Sequence, residues 1–215
     1  MLEDGFSYPV RGDWLGRVVI GGVLGLFSGF LVPLFFSIGY LMNVLKSTVT
    51  GEKQPPPFKN WGALLRKGFF GTLIAIAYTL PPVVVFGGIG VVFSNSSWGF
   101  SGQSGWLLGN FGGLTVILIL PAILITYYLV PAALTNYAIG GHVGDAFEFH
   151  TLKPVLLSSD YLIAVLTPIV VGVVLLIVTL VLAVTVVGLL LLPFVQFYGQ
   201  VAVFRMFGTA FRATD

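Results

Sequence analysis

From residue 161 to residue 204 the chain reads YLIAVLTPIVVGVVLLIVTLVLAVTVVGLLLLPFVQFYGQVAVF, 44 residues without one charged side chain. As a single helix it would reach about 66 Å at 1.5 Å per residue. A hydrocarbon core of roughly 30 Å is crossed by about 20 apolar residues. The stretch is therefore expected to pass twice, over about 161–183 and 186–204, with a tight turn near residues 185–188. The apolarity is continuous and does not alternate with period two, so helices are expected and a β-barrel is not.

Outward from this stretch the pattern repeats. Residues 18–45 and 68–144 also lack Asp, Glu, Lys and Arg, and the three runs together hold 149 of the 215 positions. Charged residues make up 8% of the chain, against about 25% in an ordinary soluble domain. A soluble globular domain and a disordered chain are both excluded. The expected fold class is all-α: a polytopic transmembrane helical bundle of about five spans (four to six), with proline kinks and short interfacial helices. It is read as a single membrane domain over 1–215, with spans at about 18–45, 68–93, 106–137, 161–183 and 186–204. Pro33, Pro81, Pro82, Pro121 and Pro131 are the expected kinks. The acidic opening MLEDGFSYP is not the basic start of a signal peptide, so the first apolar segment is expected to stay in the mature protein. With no cysteine, disulfides and thiolate chemistry are excluded. A net charge of +2 does not suggest nucleic acid as a partner.

Basic residues set the orientation. Residues 46–67 carry Lys46, Lys53, Lys59, Arg66 and Lys67 against Glu52 alone, and such a loop marks the cytoplasmic side. Alternation then places 94–105 outside and both 138–160 and the C-terminus inside. The N-terminus falls outside. Asn95-Ser96-Ser97 in the outer loop fits the glycosylation acceptor pattern. A rival reading breaks the first segment at Pro33 into a re-entrant or hairpin pair and brings Arg11 and Arg17 inside as well. The charge count favours the rival; the segment's length favours one crossing.

Few positions offer chemistry. Gly21, Gly25 and Gly29 recur every four residues and share a helix face, where small residues admit a second helix, from this chain or from another copy. His142, Asp145, Glu148 and His150 are donor types a transition metal accepts. Gly140, Gly141 and Gly144 argue against a firm scaffold for them, so a solvated loop is expected there and no metal site. Ser101 and Ser104 fall in Gly-x-Ser-Gly matches of the kind intramembrane proteases use, but the two histidines are expected on the opposite face, out of a serine's reach. Within the runs the one residue of a type that relays protons is His142, at the edge of a loop, so no proton relay is expected, which counts against an ion-coupled transporter. Asn43, Asn136, Gln196 and Gln200 are left for hydrogen bonds between helices, or for a small polar cavity or lipid contact. Arg205 and Arg212 suit anionic headgroups.

The N-terminal YPVRGDW, the stretch LVPLFFSIGYLMNVLKSTVTGEKQPPPFKNWGALLRKG and the tail FYGQVAVFRMFGTAFRATD together resemble an archaeal family of small integral membrane proteins, domain of unknown function family 4013. The resemblance implies an archaeal cell membrane and brings no reaction, cofactor or catalytic residue. The expected function is that of a non-enzymatic integral membrane protein of a cell membrane, without cofactor, that binds lipids or a protein partner (a second copy or another membrane protein). A transporter, channel or transport-complex subunit is the alternative, and an intramembrane hydrolase a third reading.

Overall fold

The computed structural model describes residues 2–94 and 106–213, whose regular elements are all helices, with no strand among them. The helices are α1 (Leu2–Ser7), α2 (Trp14–Leu26), α3 (Leu31–Val49), α4 (Trp61–Ser94), α5 (Trp106–Gly140), α6 (Phe149–Leu156), α7 (Ser159–Leu182) and α8 (Val186–Ala213). Short 3-10 turns occupy Tyr8–Val10 and Val143–Phe147. Among the described residues five segments are long and apolar enough to cross a membrane: Leu31–Val49, Trp61–Ile89, Ile119–Gly140, Tyr161–Leu182 and Val186–Ala213.

The first of these differs from the expected 18–45. That stretch is two helices, the end of α2 and most of α3, separated by a turn. α2 ends at Phe27, whose N–H donates to the Val23 carbonyl. At Phe30 the backbone is extended, with φ −96° and ψ 139°. Pro33 is the third residue of α3, where the missing N–H is one that no intrahelical carbonyl would have accepted. It starts a helix just after the break, where a kink or a break was expected. Pro131 and Pro193, by contrast, lie inside α5 and α8.

The basic stretch is also shorter as a loop than expected. Lys46 sits in the last turn of α3, and Arg66 and Lys67 lie within α4, which begins at Trp61. Between the helices, Gly51 turns at φ +84° and Asn60 at φ 56°. The break in the long apolar run falls at 183–185. The Thr185 hydroxyl there accepts from the Gly188 N–H at 2.9 Å, and the Ser158 hydroxyl caps α7 by accepting from Tyr161 N at 3.1 Å.

The chain divides into two compact units, residues 1–73 with 132–215 and residues 74–131. In the larger unit α8 is the hub, packed by α1, α2, α3 and α7. α2 runs antiparallel to it: Gly21 faces Phe197 and Gly25 faces Pro193. α3 runs parallel to it, with Tyr40 5.5 Å from Phe197 between ring centroids and Thr48 against Gly208. α7 is antiparallel again, with Leu175 on Gly199. A buried cluster of Tyr8, Tyr40, Leu41, Val44, Leu64, Phe197 and Val201 fills the junction, and Phe58 from the proline loop stacks on Tyr40 at 4.0 Å. The outward face of α7 shows Ile169, Val170, Val173, Leu176 and Leu180, as a lipid-facing helix does. The smaller unit comprises the adjoining parts of α4 and α5. Ile74, Tyr78 and Ala122 are buried there, and Val83, Val84, Ile123 and Leu124 are exposed.

Candidate functional site

Three segments distant in sequence meet at one face of the larger unit: the N-terminal residues, the proline loop and the last turns of α8. Arg17, only 9% exposed, donates from Nη1 to the Pro55 carbonyl at 2.7 Å and from Nη2 to the Arg11 carbonyl. Arg11 donates to the Lys53 carbonyl at 3.2 Å. The Tyr8 hydroxyl donates to the Gln54 carbonyl at 3.1 Å. The Tyr198 hydroxyl donates to the Phe6 carbonyl.

Asp4 joins the N-terminal segment to α8, with Arg11 Nη2 at 2.7 Å and Arg205 Nε at 3.0 Å from its two oxygens. Arg205 also lies over the Tyr8 ring at 4.4 Å, a cation–π geometry. Partial burial pushes the Asp4 carboxyl up, but the hydrogen bonds and charges of Arg11 and Arg205 outweigh it and leave the group below its ordinary value. The N-terminus therefore shares a face with loop 50–60 and the C-terminal turns of α8. This corrects the alternation that sent it to the opposite side. The physical reason is the turn at 27–30, which folds α2 back against α8.

A cavity of about 500 Å³ lies between α2, α3 and α8. Gly21 and Gly25 form one wall, Ser37, Ile38 and Leu41 another, and Pro193, Gln196, Phe197 and Gln200 the third. Among the described residues no Asp, Glu, Lys, Arg or His lines it. Ser28 and Gln200 are exposed at its edge. Gln196 Nε2 donates to the Thr179 hydroxyl at 3.1 Å, which leaves its carbonyl oxygen as an acceptor.

The other expected positions fall as follows. Gly21 and Gly25 meet α8, whereas Gly29 lies in the 27–30 turn with open space around it. Gly22, outside the four-residue spacing, also meets α8, at Phe194. Asn43 accepts from Lys67 Nζ at 2.6 Å, and Asn136 donates from Nδ2 to the Asp145 carbonyl at 2.6 Å. Asn43 and Asn136 do not line the cavity that Gln196 lines.

His142, Asp145, Glu148 and His150 do not converge either. Asp145 Oδ2 accepts from the His142 backbone N–H at 2.9 Å, closing the Val143–Phe147 turn. Thr151 Oγ1 donates to Glu148 at 3.3 Å. Among the described residues no three His, Asp or Glu side chains form a group that would hold a metal. Ser101, Ser104 and the Asn95 acceptor lie outside the described residues.

A family model matches residues 23–184, about three quarters of the chain, which includes the proline block and its flanking helices. The chain belongs to DUF4013, a family of proteins of unknown function. No curated protein and no solved structure matches it. The DUF4013 match begins within α2 and ends in the turn after α7, so the N-terminal residues that carry Asp4, Tyr8, Arg11 and Arg17 lie outside it, as does all of α8. Sequence reasoning missed the role of those residues. Their only local signal was a group of aromatics and charges before an apolar run.

Proposed function

We propose that this DUF4013 chain is a non-enzymatic multi-pass protein of a cell membrane that holds the apolar tail of a membrane lipid in the cavity between α2, α3 and α8. The observation that carries the reading is the lining of that cavity: glycines, apolar side chains and neutral Ser and Gln, without an ionisable group. Such walls suit a hydrocarbon chain, and the amides of Gln196 and Gln200 suit a neutral ether or hydroxyl oxygen near its end. An uncharged lining also supports a role without catalysis, since acid–base and nucleophilic chemistry need a titratable partner.

The basic face supports a cytoplasmic placement of the N-terminus, loop 50–60 and the C-terminus, because Arg11, Arg17, Lys53 and Arg205 are joined there and Lys and Arg concentrate on the inner side. α2, at 13 residues, reaches only about 20 Å and supports a re-entrant hairpin with α3. The resemblance of the opening and the tail to archaeal proteins supports an archaeal source.

The test is native mass spectrometry of the full chain released from its own membranes. The wild type is expected to retain a lipid. Gly25→Leu, which adds an isobutyl group into the cavity, and Ser37→Leu, which does so from α3, are each expected to lose it while still unfolding cooperatively. A wild type that emerges without lipid, or filled variants that retain it, would overturn the reading.

A further inference from the structure

Away from the cavity, the ends of α3 and α4 bring two lysines together. Asn43 and Lys46 stand three residues apart on α3 and share a face. Both line a small pocket of about 220 Å³ with Ser47, Thr50, Glu52 and Pro56. From α4, Lys67 reaches across and donates to Asn43 Oδ1 at 2.6 Å. From α3, Lys46 donates to the Ile139 carbonyl at 3.4 Å. Each ammonium thus meets a neutral oxygen, and neither forms an ion pair with a carboxylate among the described residues. Lys67 is half-buried. Lys46 is exposed, whereas the partly buried Lys67 lacks the carboxylate partner that ordinarily accompanies a buried cation. With its oxygen occupied by Lys67, the Asn43 amide has its two N–H donors left, on a residue that faces the pocket.

We propose that Lys46, Lys67 and Asn43 form a binding site for a phosphate-bearing anion, with the two ammonium groups flanking it and the Asn43 amide as a third donor. Glu52 lines the same pocket, and its carboxylate disfavours an anion close to it. The proposal rests on the membrane reading above and not on the lipid cavity.

The site is tested with the full chain in nanodiscs, comparing phosphatidylglycerol with phosphatidylcholine by native mass spectrometry and adding inorganic phosphate as a competitor. The wild type is expected to retain phosphatidylglycerol in preference. Lys46→Gln and Lys67→Gln are each expected to weaken that preference about tenfold, the scale of one charge-assisted hydrogen bond. Lys67→Arg and the loop variant Lys53→Gln are expected to keep it. Competition by millimolar phosphate would make a soluble phosphate the ligand, and preference without competition would make it a lipid headgroup; both support the site. Equal retention of the two lipids with no effect of phosphate on the wild type would overturn it, and that comparison needs no variant to fold. Full preference in both glutamine variants would overturn it too. Gly25→Leu is expected to keep the preference, so this proposal and the cavity reading fail separately.

Discussion

The Arg17 guanidinium donates to the Pro55 carbonyl at 2.7 Å across 38 residues of chain. It is a buried cation held by backbone oxygens of the proline loop and of Arg11, and it fastens the start of α2 to the loop between α3 and α4. Replacing Arg17 with Met strands both carbonyls beside an apolar chain. The expected loss is about 1–3 kcal/mol, the cost of unsatisfied buried polar groups, read as a lower midpoint of thermal unfolding in detergent. Arg17→Lys keeps the charge but lacks the two-pronged donor, and is expected to recover only part of that loss.

Asp4 makes the N-terminal clamp sensitive to acid. Its folded pKa lies below the ordinary 3.8. The stabilisation is therefore fully present above that ordinary value and is lost as pH falls through the lower folded value. Limited proteolysis of the first residues is expected to accelerate in that acid window. Asp4→Asn is expected to be clipped faster at neutral pH and to show no further acid step. A variant that keeps the wild-type acid step would place the titrating group elsewhere.

α3 and α4 approach closely through Gly39 and Gly68. A methyl added at Gly39 would overlap the Leu64 carbonyl oxygen, and one at Gly68 the Phe35 carbonyl oxygen. A backbone oxygen cannot rotate aside as a side chain can. Gly39→Ala and Gly68→Ala are each expected to cost about 3 kcal/mol or more in chemical or thermal unfolding. Gly172→Ala, in open space on α7, serves as the control and is expected to change stability by less than about 1 kcal/mol.

Gly21 and Gly29 separate in the same way. A methyl at Gly21 would enter the Phe197 ring, whereas Gly29 has open space. Gly21→Ala is expected to lower stability by about 1–3 kcal/mol through overpacking, and Gly29→Ala to leave it within about 0.5 kcal/mol. Equal effects at the two positions would mean that the glycine stripe acts as a unit, against the geometry of α2 on α8.

The apolar stretches, their helical form and the break near residue 185 were legible in the amino-acid order, because hydrophobicity and charge are local sums over a window of about 20 residues. The basic character of residues 46–67 was legible for the same reason. The site was legible only in part. Gln196 and Gln200 stood out as polar residues in an apolar run, yet nothing local said that Gly21, Ser37 and Gln196 would share one cavity. Gly39 and Gly68 carried no spacing signal, since each serves a single crossing of two helices.

Only the tertiary structure decided that residues 18–45 fold back as two helices, that α8 is the hub, and that Asp4 lies against Arg205 across 201 positions. Periodicity tells which face of a helix is apolar, not which neighbour covers it. Pairing between distant segments depends on shape and on single hydrogen bonds, such as that from Arg17 to Pro55, and these leave no repeat in the sequence to be read.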